Sequence, residues 1–265
     1  MKNALCVGIN HFKRPGNDLA GCVPDAEEMG AVFANLGATP TVITNASVIR
    51  QRVLAELDAM SLQARIGKLA YFAFAWSGHG THYAQSLEDD GLGEALICYD
   101  CDVIGDEWNP DTIIKDTELR NILNQFPPSC TVEVWLDTCY SGGMDRVLSP
   151  HKPFPAIISE GRFLHNPGNP TGHLRVANST ISQGLNSNII MWCASSEPQE
   201  SADAYIAGGA HGAFTFFWCE AFKKNPKASR VELLLATRKA LSANGYDQFP
   251  RLKCWNGPAQ MMVGP

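Results

Sequence analysis

The chain has 265 residues, 45% of them hydrophobic and 18% charged, which is enough for one sizeable α/β domain or two small ones. Its 21 Lys and Arg residues are outnumbered by 27 Asp and Glu, and no basic run forms a patch, so we expect no nucleic-acid partner and no binding to anionic membranes. We expect no membrane span and no signal peptide. The nine cysteines lie mostly in apolar runs, which favours reduced thiols without disulfides in a cytoplasmic protein.

Strand and helix patterns alternate through the first half of the chain. Nearly continuous apolar runs predict buried strands at 3–9, 40–44 and 68–76, as expected for parallel strands covered on both faces. Helical spacing between them predicts a helix that opens at Pro24 and another that is capped by Ser47. This βαβαβ order is typical of an α/β domain built as a three-layer αβα sandwich with a mostly parallel central sheet.

The second half of the chain continues this pattern around a long irregular segment. Residues 143–187 are rich in Pro, Gly, Asn and Ser without periodicity, and connections of such length are usually functional or disordered. Residues 195–212 are interpreted as a second polar loop. The remaining predicted elements are strands at 95–99, 131–137, 188–194 and 251–255, and helices at 117–125, 213–222 and 229–244, the last with a Ser229 and Glu232 capping box and a Gly245 stop. We find no clean linker and expect a single domain over residues 1–265.

Two of the predicted strands end on residues that can carry chemistry. The stretch TVEVWLDTCYSG at 131–142 presents Cys139 just beyond a strand, where ligands bind in open α/β folds. Most cysteines are inert core residues, so Cys139 alone does not establish a nucleophile. The stretch LAYFAFAWSGHG at 69–80 ends on His79 in the same manner. If the two strands are neighbours in the sheet, Cys139 and His79 form a cysteine–histidine dyad.

Such a dyad can hydrolyse an amide. The imidazole of His79 takes the thiol proton and later protonates the leaving amine, while the thiolate of Cys139 attacks a carbonyl. The N–H groups of Gly80 and Cys139 are candidate oxyanion-hole donors. Asp137 lies two residues before Cys139, where a bare carboxylate would raise the thiol pKa and hinder activation. We therefore interpret Asp137 as part of a pocket for a cationic substrate side chain.

Four motifs carry a family resemblance: GCVPDA at 21–26, SGHG at 77–80, DTCYSG at 137–142 and HGAFT at 211–215. Together they resemble the caspase-like cysteine peptidases of clan CD, in particular the bacterial metacaspase or orthocaspase branch. The resemblance implies a caspase-hemoglobinase-like fold. It also implies a large-subunit-like part at 1–142, a loop-rich connection at 143–187 and a small-subunit-like part at 188–265.

The resemblance also assigns roles to individual residues. It implies a nucleophile at Cys139, a base at His79, and cleavage after Arg or Lys. The S1 pocket, which holds the side chain before the cut bond, would be lined by Asp25, Ser77 and Asp137. Tyr140 stands where histidine is common in the family, which should not disable the dyad.

Ligands for a metal ion are incomplete in this sequence. Many metacaspases bind calcium through three groups of aspartates, and the matching positions here hold Gly93, Asp116 and, only with a one-residue shift, Asp145. Calcium needs several converging oxygen ligands, so we expect no metal and no cofactor, with calcium as the open alternative. Cys98 and Cys101 form a single CxxC without a second pair, which is weak evidence for zinc.

Residues near the expected cleft suggest how a peptide would bind. Ser195 and Ser196 follow a predicted strand end, and the resemblance implies that they pair with the backbone of an extended peptide, although an ordinary turn explains them equally well. His211 is interpreted as structural. The 143–187 connection carries basic residues at which the enzyme could cut itself, namely Arg146, Lys152, Arg162 and Arg175.

The favoured function is a monomeric cysteine endopeptidase that cleaves peptide or protein substrates after Arg or Lys through a thioester acyl-enzyme. A catalytically silent caspase-like scaffold or regulator is one alternative, but it gives no reason to keep both His79 and Cys139. A cysteine hydrolase of a small molecule is another, but it leaves Asp25 and Asp137 without a cationic partner.

Overall fold

A computed structural model of the chain describes residues 1–84, 92–138, 160–162, 164, 184–195, 201–254 and 261–264. Strands and helices alternate in these residues, as the apolar pattern predicts. The strands are β1 (Lys2–Gly8), β2 (Thr39–Thr44), β3 (Tyr71–Ser77), β4 (Gly80–Ala84), β5 (Leu92–Ile97), β6 (Val103–Ile104), β7 (Glu107–Trp108), β8 (Ile113–Lys115), β9 (Thr131–Asp137), β10 (Glu160–Gly161), β11 (Ile189–Cys193), β12 (Ala202–Ile206), β13 (Gly209–Gly212) and β14 (Arg251–Lys253). The helices are α1 (Cys22–Asn35), α2 (Arg50–Arg65), α3 (Asp116–Leu123), α4 (Ala213–Lys224) and α5 (Arg230–Ala243).

A six-stranded sheet runs through the middle of the fold in the order β14-β11-β9-β3-β1-β2. All neighbouring pairs are parallel except β11 with β14. β3 and β9 lie side by side, and their register places Ser77 opposite Asp137 at the carboxyl ends of both strands. The predicted adjacency of the two chemistry-bearing strands is therefore confirmed.

Helices cover both faces of this sheet. Alternating side chains of one strand point to opposite faces, so Phe72 and Phe74 of β3 lie in one core cluster with residues of α2 and α3. Tyr71 and Ala73 lie in the second cluster with residues of α1, α4 and α5. Burial of both faces explains why β3 is apolar along its length. The three-layer αβα sandwich predicted from the sequence is thus confirmed.

A β-hairpin occupies part of the segment that we interpreted as a polar loop, and that interpretation is wrong for residues 202–212. β12 and β13 pair antiparallel across a two-residue turn of Ala207 and Gly208. Both turn residues have positive φ, as a type I′ turn requires. Alanine is an unusual residue in such a turn, so the hairpin lacks the Asn-Gly type of signal that marks most of its kind.

Two helix starts differ from prediction, since α1 begins at Cys22 and not at Pro24 and α2 is not capped by Ser47, whereas the capping box of α5 agrees with it. α2 begins at Arg50, and Ile49 is its N-cap. Ser47 instead ends a short 3-10 turn. The side chain of Asn45 holds this turn in place, because its Oδ1 accepts hydrogen bonds from the backbone N–H groups of Asn10 and His11 in the loop after β1. The capping box of α5 is confirmed, since Ser229 and Glu232 exchange hydrogen bonds at the helix start. None of the helices in the described ranges is long and apolar enough to cross a bilayer.

The cysteines that the structure describes are all free thiols. Seven of these eight are buried, and Cys254 is half-buried. Cys6, Cys193 and Cys219 sit within the sheet and its covering helix, where burial raises the pKa of each thiol. These cysteines serve as core packing. Cys139 lies outside the described residues.

Candidate active site

The carboxyl ends of β3 and β9 bring most of the predicted site residues together. Ser77 ends β3, Asp137 ends β9, and His79 and Gly80 lead from β3 into β4. Asp25 reaches the same place from the first turn of α1. The side chains of Asp25, Ser77, His79 and Asp137 are all buried. Cys139 follows directly after the last described residue of the β9 segment.

His79 is held in one tautomer. Its Nε2 lies 2.9 Å from the carbonyl oxygen of Asn17, and a carbonyl only accepts, so Nε2 carries the proton. Nδ1 has no hydrogen-bond partner among the described residues. Burial, assisted by the guanidinium of Arg162, lowers the pKa of His79 to about 4, although the carbonyl of Asn17 acts in the opposite direction. The ring is therefore neutral near pH 7, with a free lone pair on Nδ1.

An acidic pocket lies beside His79, and the side chain of Arg162 fills it. That side chain is 0% exposed. Nη2 lies 2.9 Å from Oδ2 of Asp25 and 2.8 Å from Oδ1 of Asp203. Nη1 lies 2.5 Å from the hydroxyl of Ser77 and 3.3 Å from Oδ1 of Asp137. One terminal nitrogen of the guanidinium thus faces Asp25 and Asp203, and the other faces Ser77 and Asp137.

Fixed hydrogen-bond donors hold the carboxylates of this pocket in position. The N–H of Gly212 donates to both oxygens of Asp25, at 3.0 and 2.9 Å. Thr215 donates to Oδ2 of Asp137 through its backbone N–H at 3.1 Å and its hydroxyl at 2.6 Å. The hydroxyl of Ser201 donates to Oδ1 of Asp137. The HGAFT motif at 211–215 therefore shapes the pocket through Gly212 and Thr215.

Of the three carboxylates in this pocket, Asp203 is the one that sequence reasoning missed. It lies on β12, and its carboxylate accepts from the N–H groups of Ala20 at 2.8 Å and Gly21 at 3.0 Å. It thereby joins the β12–β13 hairpin to the turn before α1. The alternation of the stretch ADAYI was the one available signal, and it placed no particular residue in the site.

The charges of the pocket favour a cation. Three carboxylates surround the single guanidinium of Arg162. Burial raises the pKa of Asp25, and the guanidinium opposes that rise. His211 lies on the rim with Nδ1 at an ion-pair distance of 3.7 Å from Asp25, which raises the pKa of this histidine. Without a cation, the buried carboxylates would repel each other.

The main chain around Arg162 follows the cleft as an extended strand. β10 pairs antiparallel with β12, and the N–H of Arg162 donates to the carbonyl of Ser201 at 3.2 Å. The N–H of Gly80 donates to the carbonyl of Arg162 at 3.0 Å. The extended segment in the structure thus pairs with β12 rather than with Ser195, which is half-buried after β11. Ser196 lies outside the described residues.

The two described residues that match calcium positions, Gly93 and Asp116, do not form a ligand set. A Cβ atom at Gly93 would lie under 3.0 Å from the ring of Tyr83, so an acidic side chain cannot stand there without moving that ring. Asp116 is buried and accepts a hydrogen bond from the hydroxyl of Tyr83 at 3.2 Å. No cluster of three potential metal ligands occurs in the described part of the chain. Asp145 lies outside that part.

The CxxC pair also lacks the features of a zinc site. Cys98 and Cys101 are both buried, and burial raises the pKa of each thiol. A structural zinc ion needs four ligands, and no third candidate ligand joins this pair in the described part of the chain. Their packing in the core cluster of α2 and α3 accounts for both residues.

Fold and site together define a three-layer α/β protein whose cleft binds an extended, basic segment of chain at the carboxyl edge of its sheet. The model of the caspase domain (Peptidase_C14) matches residues 1–258. The chain therefore belongs to the caspase-domain peptidase family.

Curated relatives and a solved structure agree with this assignment. The chain is 26% identical over 298 residues to Metacaspase-1 of Sclerotinia sclerotiorum, covering 96% of this chain and 65% of that protein. It is 25% identical over 297 residues to Metacaspase-1 of Ajellomyces capsulatus, covering 96% and 79%. It thus spans just under two thirds of the first relative. The fold is similar to the crystal structure of protein GSU0716 from Geobacter sulfurreducens, with a TM-score of 0.70, 22% identity, and coverage of 100% and 97%.

Proposed function

We propose that the protein is a cysteine endopeptidase that cleaves peptide bonds after basic residues, with Cys139 as nucleophile and His79 as base. The observation that carries the proposal is the acidic pocket around Arg162, which is built for a cationic side chain beside a neutral histidine. Membership of the caspase-domain family supports a cysteine peptidase. Two similar proteins are named metacaspases, which supports the same class of activity.

The geometry of the pocket favours arginine over lysine. Its acceptors divide into two sets, with Ser77 and Asp137 facing one terminal nitrogen and Asp25 and Asp203 facing the other. A guanidinium presents both nitrogens in a rigid fork, whereas an ammonium is a single point charge. Lysine therefore leaves one set of buried carboxylates less well satisfied, and we expect slower cleavage after lysine.

The proposed chemistry uses the tautomer of His79. Nδ1 accepts the proton of the Cys139 thiol, and the thiolate attacks the carbonyl carbon of the basic residue. The N–H of Gly80 donates to the oxygen as negative charge develops on it, and the N–H of Cys139 is the second proposed donor. His79 then protonates the leaving amine, and water hydrolyses the thioester. The carboxylates of the pocket hold the substrate side chain while these bonds change.

The chain is expected to act as a monomer without a cofactor. Self-cleavage in the 143–187 connection belongs to the same proposal, because that connection carries basic residues and one of them lies in the cleft.

A panel of fluorogenic peptides that differ only in the residue before the cut bond tests the proposal. We expect cleavage after Arg, slower cleavage after Lys, and none after Asp. Cys139→Ala should abolish turnover, and Cys254→Ala, the same change at a half-buried cysteine, should retain it. A Cys139→Ala protein that still cleaves would disprove the mechanism. Turnover of small esters or amides without any peptide cleavage would favour the small-molecule hydrolase, and an inert protein of native stability would favour the scaffold.

A further inference from the structure

The loop between β1 and α1 carries two of the contacts that fix the ring of His79. The carbonyl oxygen of Asn17 lies 2.9 Å from Nε2, and the ring of Phe12 packs against the imidazole with 5.2 Å between the ring centroids. Neither Asn17 nor Phe12 belongs to a helix or strand. A carbonyl in a loop holds an imidazole in one orientation only if the loop is itself held, because a displacement of about 1 Å is enough to lose the hydrogen bond.

Both ends of this loop are attached to the rest of the fold. The side chain of Asn10 accepts the N–H of Val23 at 2.9 Å and donates to the carbonyl of Ala20 at 2.8 Å. The N–H of Lys13 donates to the carbonyl of Tyr99 at 3.0 Å. These contacts fix where the loop leaves β1 and where it enters α1. None of them is made by the two residues that touch the imidazole.

The carboxylate of Asp18 fastens the middle of the loop. Its Oδ1 accepts the backbone N–H of Phe12 at 3.1 Å, and its Oδ2 lies 3.0 Å from Nδ1 of His11. One of its partners is therefore a residue that touches His79, and its neighbour in the chain, Asn17, is the other such residue. The hydrogen bonds from His11 and Phe12 lower the pKa of Asp18, so the carboxylate is charged near pH 7.

Packing does not account for Asp18. Its side chain is 56% exposed and that of His11 is 69% exposed, and exposed ion pairs contribute little to stability. The bond to Phe12 differs, because Phe12 is buried and its ring lies against the imidazole. What the carboxylate fixes is the distance across the loop between Phe12 and Asn17, which is the distance between the two contacts of His79.

We propose that Asp18 is a positioning residue for His79: its carboxylate holds the loop so that the carbonyl of Asn17 keeps the imidazole proton on Nε2. Nδ1 is then left for the thiol of Cys139. This inference rests on the proposed function for its effect on catalysis. Loss of the carboxylate frees the N–H of Phe12 and lets the loop widen, so the imidazole loses its fixed orientation and its single tautomer.

Nitrogen NMR of His79 tests this geometry without catalysis. In a Cys139→Ala background with labelled histidine, the shifts of the two ring nitrogens show which one carries the proton, and their loss in His79→Gln assigns them. We expect a single Nε2–H tautomer in the parent and in the control Asp106→Ala, which removes an exposed carboxylate between β6 and β7. Asp18→Ala should give averaged shifts. Asp18→Asn, whose side-chain oxygen can still accept the N–H of Phe12, should restore the single tautomer.

Two results of this measurement would overturn the inference, whether or not the protein cleaves peptides. One is a folded Asp18→Ala protein in which the tautomer of His79 is unchanged. The other is an Asp18→Ala protein that does not fold, because a positioning residue in an exposed loop leaves the fold intact.

Kinetics then measure the effect on the reaction. For an arginine peptide, Asp18→Ala should lower kcat roughly 10-fold, the lower end of what a hydrogen bond to a charged group contributes. KM should change little, because Asp25 and Asp137 are held by the N–H groups of Gly212 and Thr215. A raised KM with an unchanged kcat would mean that Asp18 acts through the pocket, which would also overturn the inference. An unsubstituted chain that cleaves no peptide would refute the proposed function, and the NMR result would still decide the role of Asp18.

Discussion

Substitution of Asp203 by Asn tests the pocket residue that only the tertiary structure revealed. The change keeps the shape but removes one of the two carboxylates that face Nη2 of the guanidinium, where Oδ1 lies 2.8 Å away. Hydrogen bonds to charged groups contribute about 1.5–3 kcal/mol, which corresponds to a loss of roughly 10- to 150-fold in kcat/KM for an arginine peptide. A lysine peptide makes weaker use of this carboxylate and should lose less, so the preference for arginine should shrink.

The assay compares arginine and lysine peptides in a chain that also carries Arg162→Gln, so that no internal arginine competes. Asp106→Asn is the matched control, because Asp106 is exposed in the turn between β6 and β7. Asp203 also accepts hydrogen bonds from the N–H groups of Ala20 and Gly21. In Asp203→Asn, the side-chain nitrogen would replace one of these oxygens and would face an N–H donor. Equal losses for both peptides would therefore show that Asp203 acts through this turn and not on the guanidinium, which would refute the reasoning.

Three further predictions concern the same site. A Cβ atom at position 212 would lie under 3.0 Å from Asp137, Arg162 and Asp25, so Gly212→Ala should reduce kcat/KM for cleavage after arginine roughly 100-fold. The control Gly209→Ala, on the same hairpin, should have little effect. Comparable kcat/KM values for the two variants would contradict this prediction. The pKa of His79 is about 4 in the folded chain and 6.5 ordinarily, so between these pH values His79 binds a proton in the unfolded chain but not in the folded chain. The free energy of unfolding therefore falls as the pH drops through this window, by up to about 3 kcal/mol. Urea unfolding of Cys139→Ala with and without His79→Gln should therefore diverge in this window, and parallel curves would exclude such a contribution. Calcium and chelators should leave the rate of peptide cleavage unchanged, and a strong activation by calcium would show that ligands outside the described residues complete a site.

Local patterns in the sequence carried enough information for the sheet and for one end of the site. Parallel strands covered on both faces must be apolar throughout, so β1, β3 and β9 were visible as runs, and their common direction placed their carboxyl ends at one edge. The positions of His79, Ser77 and Asp137 follow from that edge. The Ser229 and Glu232 capping box was equally visible, because its two partners are only three residues apart.

The rest of the pocket depended on contacts between distant parts of the chain. The N–H of Gly212 donates to Asp25, which lies 187 residues earlier in the chain. The N–H of Ala20 donates to Asp203, which lies 183 residues later. Arg162 sits in a connection without periodicity, so neither its neighbours nor its direction could be read from the sequence.

The sequence by itself determined the strand that ends on His79, the strand that leads to Cys139, and the acid, Asp137, at the end of that second strand. Only the tertiary structure decided that Asp203 joins Asp137 and Asp25, and that the guanidinium of Arg162 is the cation they hold. The physical reason is range: apolar periodicity and capping act between residues close in the chain, whereas the desolvated charges of Asp25, Asp137 and Asp203 find their partner only after folding brings Arg162 among them.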